Sequence, residues 1–342
     1  MATSIPGDDR TPGEIRSLAV DPTNSETLYA GTAHGMLKST DGGRTWTAAN
    51  SGIGNTVITS IAVDPRTPAT VYAGTWLGLF KSIDGGTSWT NTGTRQAVFS
   101  LVMDPDDARA LYVGARDGAG ILATRDSGHT WKAINDGLPS TESGIEALAI
   151  ASTHPATLYA GLYAYGIFKR GDRKWRGTEL SHRQYHREIF IHALAVDPHT
   201  PTTLYALLSS SGVMKSVDGG RSWKPMNHGL NLSDLLESLV IDPTTPTTLY
   251  LGTGKGIFKT TDGALTWTPT GFEFTGTLPY LFLPLVVNPD HVLFAGPGRG
   301  LGPRRGIPFQ ILEDWKHKRG CVFRTIDGGT TWMRLADFNA SE

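Results

Sequence analysis

Short apolar runs alternate with glycine-rich turns along the whole chain. A representative repeat starts with Ser60-Ile61-Ala62-Val63, which Asp64-Pro65 ends, because proline presets a turn and donates no ladder hydrogen bond. Residues 70–75 form a run rich in β-branched and aromatic side chains, and residues 78–82 form the next. The glycines of Asp84-Gly85-Gly86 then allow a tight turn before a last run. The pattern predicts four short antiparallel strands in each repeat.

The repeat recurs at nearly regular intervals. Its closing tryptophans follow one another after 43, 42, 44, 48, 44 and 65 residues, at Trp46, Trp89, Trp131, Trp175, Trp223, Trp267 and Trp332. Such a period is typical of a propeller blade, since one small sheet buries its faces only against neighbouring sheets. We therefore expect one all-β domain over residues 1–342, a seven-bladed β-propeller of four-stranded antiparallel blades. The predicted blades span about 15–50, 57–92, 97–135, 144–178, 189–227, 235–270 and 281–337.

The loop before each tryptophan follows the pattern Ser/Thr-x-Asp-x-Gly-x-Thr/Ser-Trp. Ala264 replaces the glycine in the sixth copy, and the fourth copy, residues 170–175, is two residues shorter. We call every copy except the fourth an Asp hairpin. The aspartates of the six Asp hairpins are Asp41, Asp84, Asp126, Asp218, Asp262 and Asp327.

The Asp hairpins resemble the Asp-box, or BNR, repeat, and the resemblance covers about residues 15–335. The chain as a whole is similar to the BNR propellers found in assembly factors of photosynthetic membranes, xyloglucan-cleaving enzymes and sialidases. In a glycine-rich hairpin, a short carboxylate ordinarily accepts hydrogen bonds from its own loop, so we expect these aspartates to be structural. Alternating strand directions place all the Asp hairpins on one face of the disc. The resemblance implies that ligands bind on the opposite face.

The net charge and the cysteine and histidine content limit the partners and metal sites that we expect. The net charge is −1, which gives no overall preference for nucleic acid or anionic membrane, and we expect neither as a partner. The only cysteine, Cys321, excludes an intrachain disulfide and a thiolate metal cluster. His182, His186, His192 and Glu188 lie along a connection and a strand rather than on one helix face, so no metal is expected. No cofactor is predicted either.

The N-terminal residues lack the basic start and apolar stretch of a signal peptide. The compartment stays open between the cytoplasm, for the chain as written, and export, for a mature form.

The candidate binding residues combine aromatic and charged side chains on the face opposite the Asp hairpins. They are Trp76, Arg116, Asp117, Tyr163, Tyr165, Arg183, His186, Arg304, Arg305, Phe309 and Trp315. The last four lie in an insertion, residues 297–319 of the last blade, whose side chains sum to a charge of about +4. A loop of this length in a compact ring indicates a function.

Three function classes are open: a non-catalytic scaffold that holds a partner protein, a glycoside hydrolase, and a lectin-like glycan binder using Trp76, Tyr163 and Tyr165. The scaffold is favoured, because the Arg-Ile-Pro motif of sialidases is only approximated by residues 305–308. Xyloglucan-cleaving relatives also place their cleft between two propellers. A hydrolase needs two suitably spaced carboxylates, which Glu142 or Glu146 with Asp117 would supply. No catalytic residue is assigned.

Overall fold

The protein is described here by a computed structural model. It covers residues 15–116, 118–141, 144–171, 173–181, 190–273, 281–282, 285–287, 290, 293–295, 298–299 and 321–337. All of the regular secondary structure in these residues is β-strand. No helix in this part of the chain is long and apolar enough to cross a membrane.

Four-stranded antiparallel sheets recur seven times, each formed by strands that follow one another in sequence. The first three sheets contain β1 (Ile15–Asp21), β2 (Asn24–Thr32), β3 (Gly35–Ser39), β4 (Thr47–Ala48); β5 (Ile58–Val63), β6 (Val71–Thr75), β7 (Gly78–Ser82), β8 (Thr90–Asn91); and β9 (Val98–Met103), β10 (Leu111–Ala115), β11 (Ile121–Thr124), β12 (Lys132–Ala133). The next two contain β13 (Ile145–Ala151), β14 (Thr157–Leu162), β15 (Gly166–Arg170), β16 (Trp175–Ser181); and β17 (Ile191–Val196), β18 (Leu204–Leu208), β19 (Gly212–Ser216), β20 (Lys224–Pro225).

The last sheets complete the chain. They contain β21 (Leu236–Ile241), β22 (Leu249–Thr253), β23 (Gly256–Thr260), β24 (Thr268–Glu273); and β26 (Leu285–Val287), β27 (Leu293–Ala295), β29 (Cys321–Thr325), β30 (Met333–Asp337). A separate two-stranded ladder joins β25 (Leu281–Phe282) to β28 (Gly298–Arg299). Gly298 and Arg299 of this ladder fall at the start of the insertion predicted at residues 297–319. Residues 300–319 of the insertion lie outside the described residues.

The first strand of each four-stranded sheet is the innermost, and these strands contact one another in chain order from β1 to β26. Strand β26 in turn contacts β1, which makes the arrangement a ring around a central channel. The described residues thus form an all-β propeller with four-stranded antiparallel blades, which confirms the fold class and the type of blade predicted from the sequence.

Side-chain packing joins the first sheet to the last. Ile15, Leu28 and Ala30 of the first sheet form one buried cluster with Val322 of the last. Arg324 adds an ion pair, its Nη1 lying 3.7 Å from Oε1 of Glu26. Because the last four-stranded sheet consists of β26, β27, β29 and β30, the described strands close the ring without exchange between the termini.

The Leu-Tyr-Ala-Gly pattern of the second strands is explained by contacts between sheets. A Cβ atom added to Gly74 would lie 2.3 Å from Oγ of Ser60 and 2.8 Å from a methyl group of Val98 in the next sheet. Only glycine fits where adjacent sheets approach this closely.

The tyrosine of the same strand works with a lysine of the third strand in what we call the Tyr–Lys clasp. Both donate to one backbone carbonyl in the next sheet's Asp hairpin; in the fourth sheet, Tyr159 and Lys169 both reach the Gly219 oxygen, at 3.3 and 3.2 Å. The other clasps are Tyr29 with Lys38 on Gly85, Tyr72 with Lys81 on Ser127, and Tyr205 with Lys215 on Gly263. In all four, the lysine nitrogen lies 5.2–5.6 Å from the tyrosine ring centroid, within range of a cation–π interaction.

Candidate functional site

A β-bulge at the start of six inner strands shapes the face opposite the Asp hairpins. In each, the strand register shifts around the second residue, so that one residue is left outside the ladder. We call these the channel-mouth residues because they surround the opening of the central channel: Arg16, Thr59, Phe99, Glu146, His192 and Glu237. The bulge thus places six different side chains at equivalent positions around the ring.

Arg116 links two channel-mouth residues on neighbouring blades. Its Nη2 lies 3.5 Å from Oε1 of Glu146, and its guanidinium carbon lies 4.0 Å from the ring centroid of Phe99. Burial raises the pKa of Glu146, and the charge and hydrogen bond of Arg116 partly oppose that rise. The result is a mixed aromatic and charged surface on the third and fourth blades.

The next two channel-mouth residues have fewer partners. The ring of His192 shares a hydrogen bond between its Nε2 and Oγ of Ser209. His192 is exposed, but the surrounding protein still displaces enough water to lower the pKa of its ring. Burial likewise raises the pKa of Glu237 to about 7. Among the described residues no ion pair or hydrogen bond to the Glu237 carboxylate is found, and no group of three or more metal-binding side chains occurs.

The three predicted aromatic residues are not a single platform. Trp76, in the turn between β6 and β7, is 48% exposed, and the neighbouring Leu77 is 60% exposed. Tyr163, two blades away, packs edge-on against Phe190 with ring centroids 4.7 Å apart. Tyr165 is half-buried against the core of the third and fourth blades. Trp76 therefore makes no described ring contact with either tyrosine and offers a separate apolar patch.

Several predicted site residues cannot be placed. Those outside the described residues are Asp117, Arg183, His186, Arg304, Arg305, Phe309 and Trp315. Of the predicted binding residues that the structure describes, Arg116 is the one placed in contact with channel-mouth residues, namely Phe99 and Glu146.

Phe99 and Glu237 were not among the predicted binding residues. The available signal was a column in the repeats: the residue between the first apolar residue of each inner strand and the following Ser or Ala. That column reads Arg16, Thr59, Phe99, Glu146, His192 and Glu237, whereas the residues beside it are nearly uniform. In this column a residue type is free to vary because the bulge removes it from the ladder.

The Asp hairpins show a different chemistry on the other face. Asp84 accepts hydrogen bonds from the Ser82 and Ser88 hydroxyls and from the Ser88 N–H, and Oγ of Ser82 accepts from the Gly86 N–H. Bonds from Ser88 are the main reason that the pKa of Asp84 is lowered to about 2. The other five hairpins repeat the carboxylate's hydrogen bonds, at Asp41, Asp126, Asp218, Asp262 and Asp327. In the hairpin of Asp262, Ala264 adopts a φ of 73° at the position where the other Asp hairpins have glycine.

No family model and no curated protein sequence matches the chain. Solved β-propeller structures do resemble it. The GH74 xyloglucanase from Xanthomonas campestris superposes with a TM-score of 0.61 at 19% identity, over 94% of this chain and 60% of the enzyme. YCF48 bound to a D1 peptide gives a TM-score of 0.60 at 15% identity, over 89% of this chain and 100% of YCF48.

The extracellular domain of BT4673 from B. thetaiotaomicron gives a TM-score of 0.65 at 16% identity, over 85% of this chain and 38% of that protein. These likenesses support a β-propeller fold. At such low identity they show a shared fold, and they include both an enzyme and a peptide-binding protein. The chain also spans less than two thirds of the xyloglucanase.

Proposed function

We propose that this protein is a non-catalytic scaffold that holds a segment of a partner protein on the face opposite the Asp hairpins. In this proposal the seven four-stranded sheets are the blades of an Asp-box propeller, and the channel mouth is the centre of the binding surface. The observation that carries the proposal is the presence on one face of exposed apolar side chains, Trp76 and Leu77, and of the charged and aromatic cluster of Arg116, Phe99 and Glu146.

This combination is suited to protein recognition. Aromatic residues and arginine are enriched in interfaces and carry much of the binding free energy. Arg116 is held by Phe99 on one side and Glu146 on the other, so little side-chain entropy is lost when it contacts a partner. YCF48 is a similar fold solved with a peptide, which supports the same use of the fold here. The basic insertion, residues 297–319, is proposed to extend this surface.

The test is affinity capture from the native source, followed by a titration with the purified partner. Trp76→Ala and Arg116→Ala are each expected to weaken binding by about tenfold or more. Replacing residues 301–319 with a short glycine-containing turn spares β28 and is also expected to weaken it. Ile83→Ala is the matched control, because Ile83 is 73% exposed on an Asp hairpin. The proposal is contradicted if the partner binds the Trp76 and Arg116 variants normally, or loses affinity equally in the control.

One observation favours glycoside hydrolysis as a second candidate. With a pKa of about 7, Glu237 holds a proton near neutral pH, as a general acid must. Glu146 supplies a second carboxylate at the equivalent position two blades away. Incubation with xyloglucan and other β-glucans, with product analysis, tests this candidate. Turnover by the wild-type protein that is abolished in Glu237→Gln, with folding intact, would establish the hydrolase and reject the scaffold.

A further inference from the structure

The junction between the third and fourth blades departs from the junctions that carry a Tyr–Lys clasp. Tyr112 occupies the position of the clasp tyrosine, but Ala123 stands where the other clasps have lysine. The hairpin that would supply the accepting carbonyl is the shortened one after β15, in which Arg170 replaces the usual Ser or Thr. Both halves of the clasp are therefore changed at this junction.

A cavity of about 1190 Å³ lies at this junction, on the same face as the Asp hairpins. Tyr112, Ala123 and Arg170 line it. Tyr112 is 7% exposed, whereas the four clasp tyrosines are 1–2% exposed. No hydrogen bond of the Tyr112 hydroxyl is found among the described residues, so a donor that is satisfied by protein at four other junctions is available to a ligand here.

Two guanidinium groups accompany this hydroxyl. Arg125 and Arg170 both line the cavity, and their charges oppose the burial that raises the pKa of Tyr112. Arg170 donates from Nη1 to the backbone oxygen of Ile134 at 3.1 Å, which leaves other N–H groups of its guanidinium for a ligand. Arg125 forms no ion pair among the described residues, and its positive charge helps to lower the pKa of Asp107. Phenol and guanidinium together are donors suited to a carboxylate.

The aspartates around the cavity are already engaged. Asp107 pairs with Arg109 at 3.1 Å, Asp106 lies 3.8 Å from the His154 ring nitrogen, and Asp136 lies 3.6 Å from Nζ of Lys174. Asp104 accepts hydrogen bonds from the N–H groups of its own turn. None of these aspartates forms a described ion pair with Arg125 or Arg170, although the charge of Arg125 acts on Asp107 and the charge of Asp136 acts on Arg170.

A second cavity of about 850 Å³ lies on the other side of the shortened hairpin. Gly171 and Arg173 line both cavities, so the two lie on either side of the shortened hairpin. The second is strongly basic, with side chains from Lys169, Arg173, Lys174, Arg176 and Arg221. Among the described residues that line it, the acidic one is Glu179, whose carboxylate accepts a 2.6 Å hydrogen bond from the backbone N–H of Trp223. We call the two cavities together the fourth-blade groove.

We propose that the fourth-blade groove binds an acidic peptide segment, with one carboxylate of the peptide accepting hydrogen bonds from Tyr112 and Arg170. A peptide is favoured because a peptide loop fills the equivalent place at the four clasped junctions and presents an oxygen to the tyrosine there. This site lies on the other face from the surface of the proposed scaffold function and is independent of it.

Fluorescence anisotropy with a labelled polyglutamate peptide tests the site, at low ionic strength so that screening is weak. The wild-type protein is expected to bind polyglutamate and not polyglutamine. The double variant Arg125→Gln/Arg170→Gln is expected to bind about tenfold more weakly or worse. Ala123→Glu keeps both arginines and places a negative charge in the cavity, so it is expected to weaken binding even if the double variant folds poorly.

Arg44→Gln is the matched control, because Arg44 is an exposed arginine on the Asp hairpin of the first blade. The site is rejected if Arg44→Gln weakens binding as much as the double variant, or if Ala123→Glu binds normally. Competition by heparin or by an oligonucleotide at equal charge concentration distinguishes the ligand class. Preferential binding of either polyanion over the peptide would overturn the peptide assignment.

Discussion

Carboxylates occur on both faces of this propeller, but their pKa values are shifted in opposite directions. At the Asp hairpins, Asp84 accepts three hydrogen bonds within its own loop and its pKa falls to about 2. At the channel mouth, Glu237 has no such donor among the described residues, and burial raises its pKa to about 7. The comparison shows that local donors favour the charged form where the repeat is regular, whereas desolvation disfavours it where the repeats differ.

The same comparison separates two uses of the repeat. In the Asp hairpins a carboxylate satisfies backbone groups that would otherwise lack partners, which serves folding. At the channel mouth, Arg116 offsets only part of the cost of burying the Glu146 carboxylate. No described residue offsets that cost for the Glu237 carboxylate. A ligand that brings a hydrogen-bond donor or a positive charge to such a carboxylate would stabilise its ionised form, so these positions are candidates for binding.

The largest expected effect is at Glu237. Its folded pKa of about 7 exceeds the ordinary 4.5, so folding favours the protonated form. The resulting penalty is absent below pH 4.5, grows as pH rises to about 7, and is complete above that. Glu237→Gln is therefore expected to raise the free energy of unfolding by about 1–3 kcal/mol at pH 8 and to have little effect at pH 4. Urea unfolding at both pH values measures this.

Glu146→Gln is the matched control for that experiment, with a smaller gain because Arg116 already stabilises the Glu146 charge. An equal gain for both variants at pH 8, or a gain for Glu237→Gln that persists at pH 4, would contradict the account.

A smaller effect is expected at the Asp hairpins, with the opposite pH dependence. Asp41 accepts hydrogen bonds from Ser39 and Thr45, and those from Thr45 are the main cause that lowers its pKa from 3.8 to about 2. Asp41→Ala is expected to reduce the free energy of unfolding by about 1–2 kcal/mol at pH 7, because turn N–H groups lose their acceptor. The depressed pKa means that this contribution is complete above about pH 4 and is lost as pH falls to about 2.

Thermal or urea unfolding as a function of pH measures this difference between Asp41→Ala and wild type. A gap that stays constant down to pH 2, or a loss of partner binding without a loss of stability, would show that Asp41 is not structural.

The smallest expected effect compares two tyrosines on the Asp-hairpin face. Tyr159→Phe removes a clasp hydrogen bond to Gly219 and is expected to cost about 1 kcal/mol. Tyr112→Phe removes no described hydrogen bond and is expected to cost less than about 0.5 kcal/mol. The two variants are compared by urea unfolding under identical conditions. Equal losses would show that Tyr112 has a protein partner, which would also weaken the case for the fourth-blade groove.

Several features could be predicted from the chain because they depend on local chemistry. Asp64-Pro65 ends a strand by removing a backbone donor, and the glycines after Asp84 allow the positive φ angles seen at Gly85 and Gly86. Arg116 and Trp76 were identified because they lie in turns whose face follows from strand alternation. The channel-mouth residues were harder to identify, because a bulge is a property of pairing between strands and shows in the sequence only as one variable column when the repeats are aligned.

The sequence by itself determined the repeat, the four-stranded antiparallel blade and the hairpin chemistry, since each depends on residues close together in the chain. Only the tertiary structure decided which side chains meet across blades. Arg116 reaches Glu146 across 30 positions, and Tyr159 reaches Gly219 across 60, because the ring brings consecutive blades side by side. The tertiary structure also decided which junction lacks a Tyr–Lys clasp. A shortened hairpin and Ala123 line a cavity there only because they face each other across the third and fourth blades. Contacts of this kind depend on distance in space, which strand spacing along the chain does not specify.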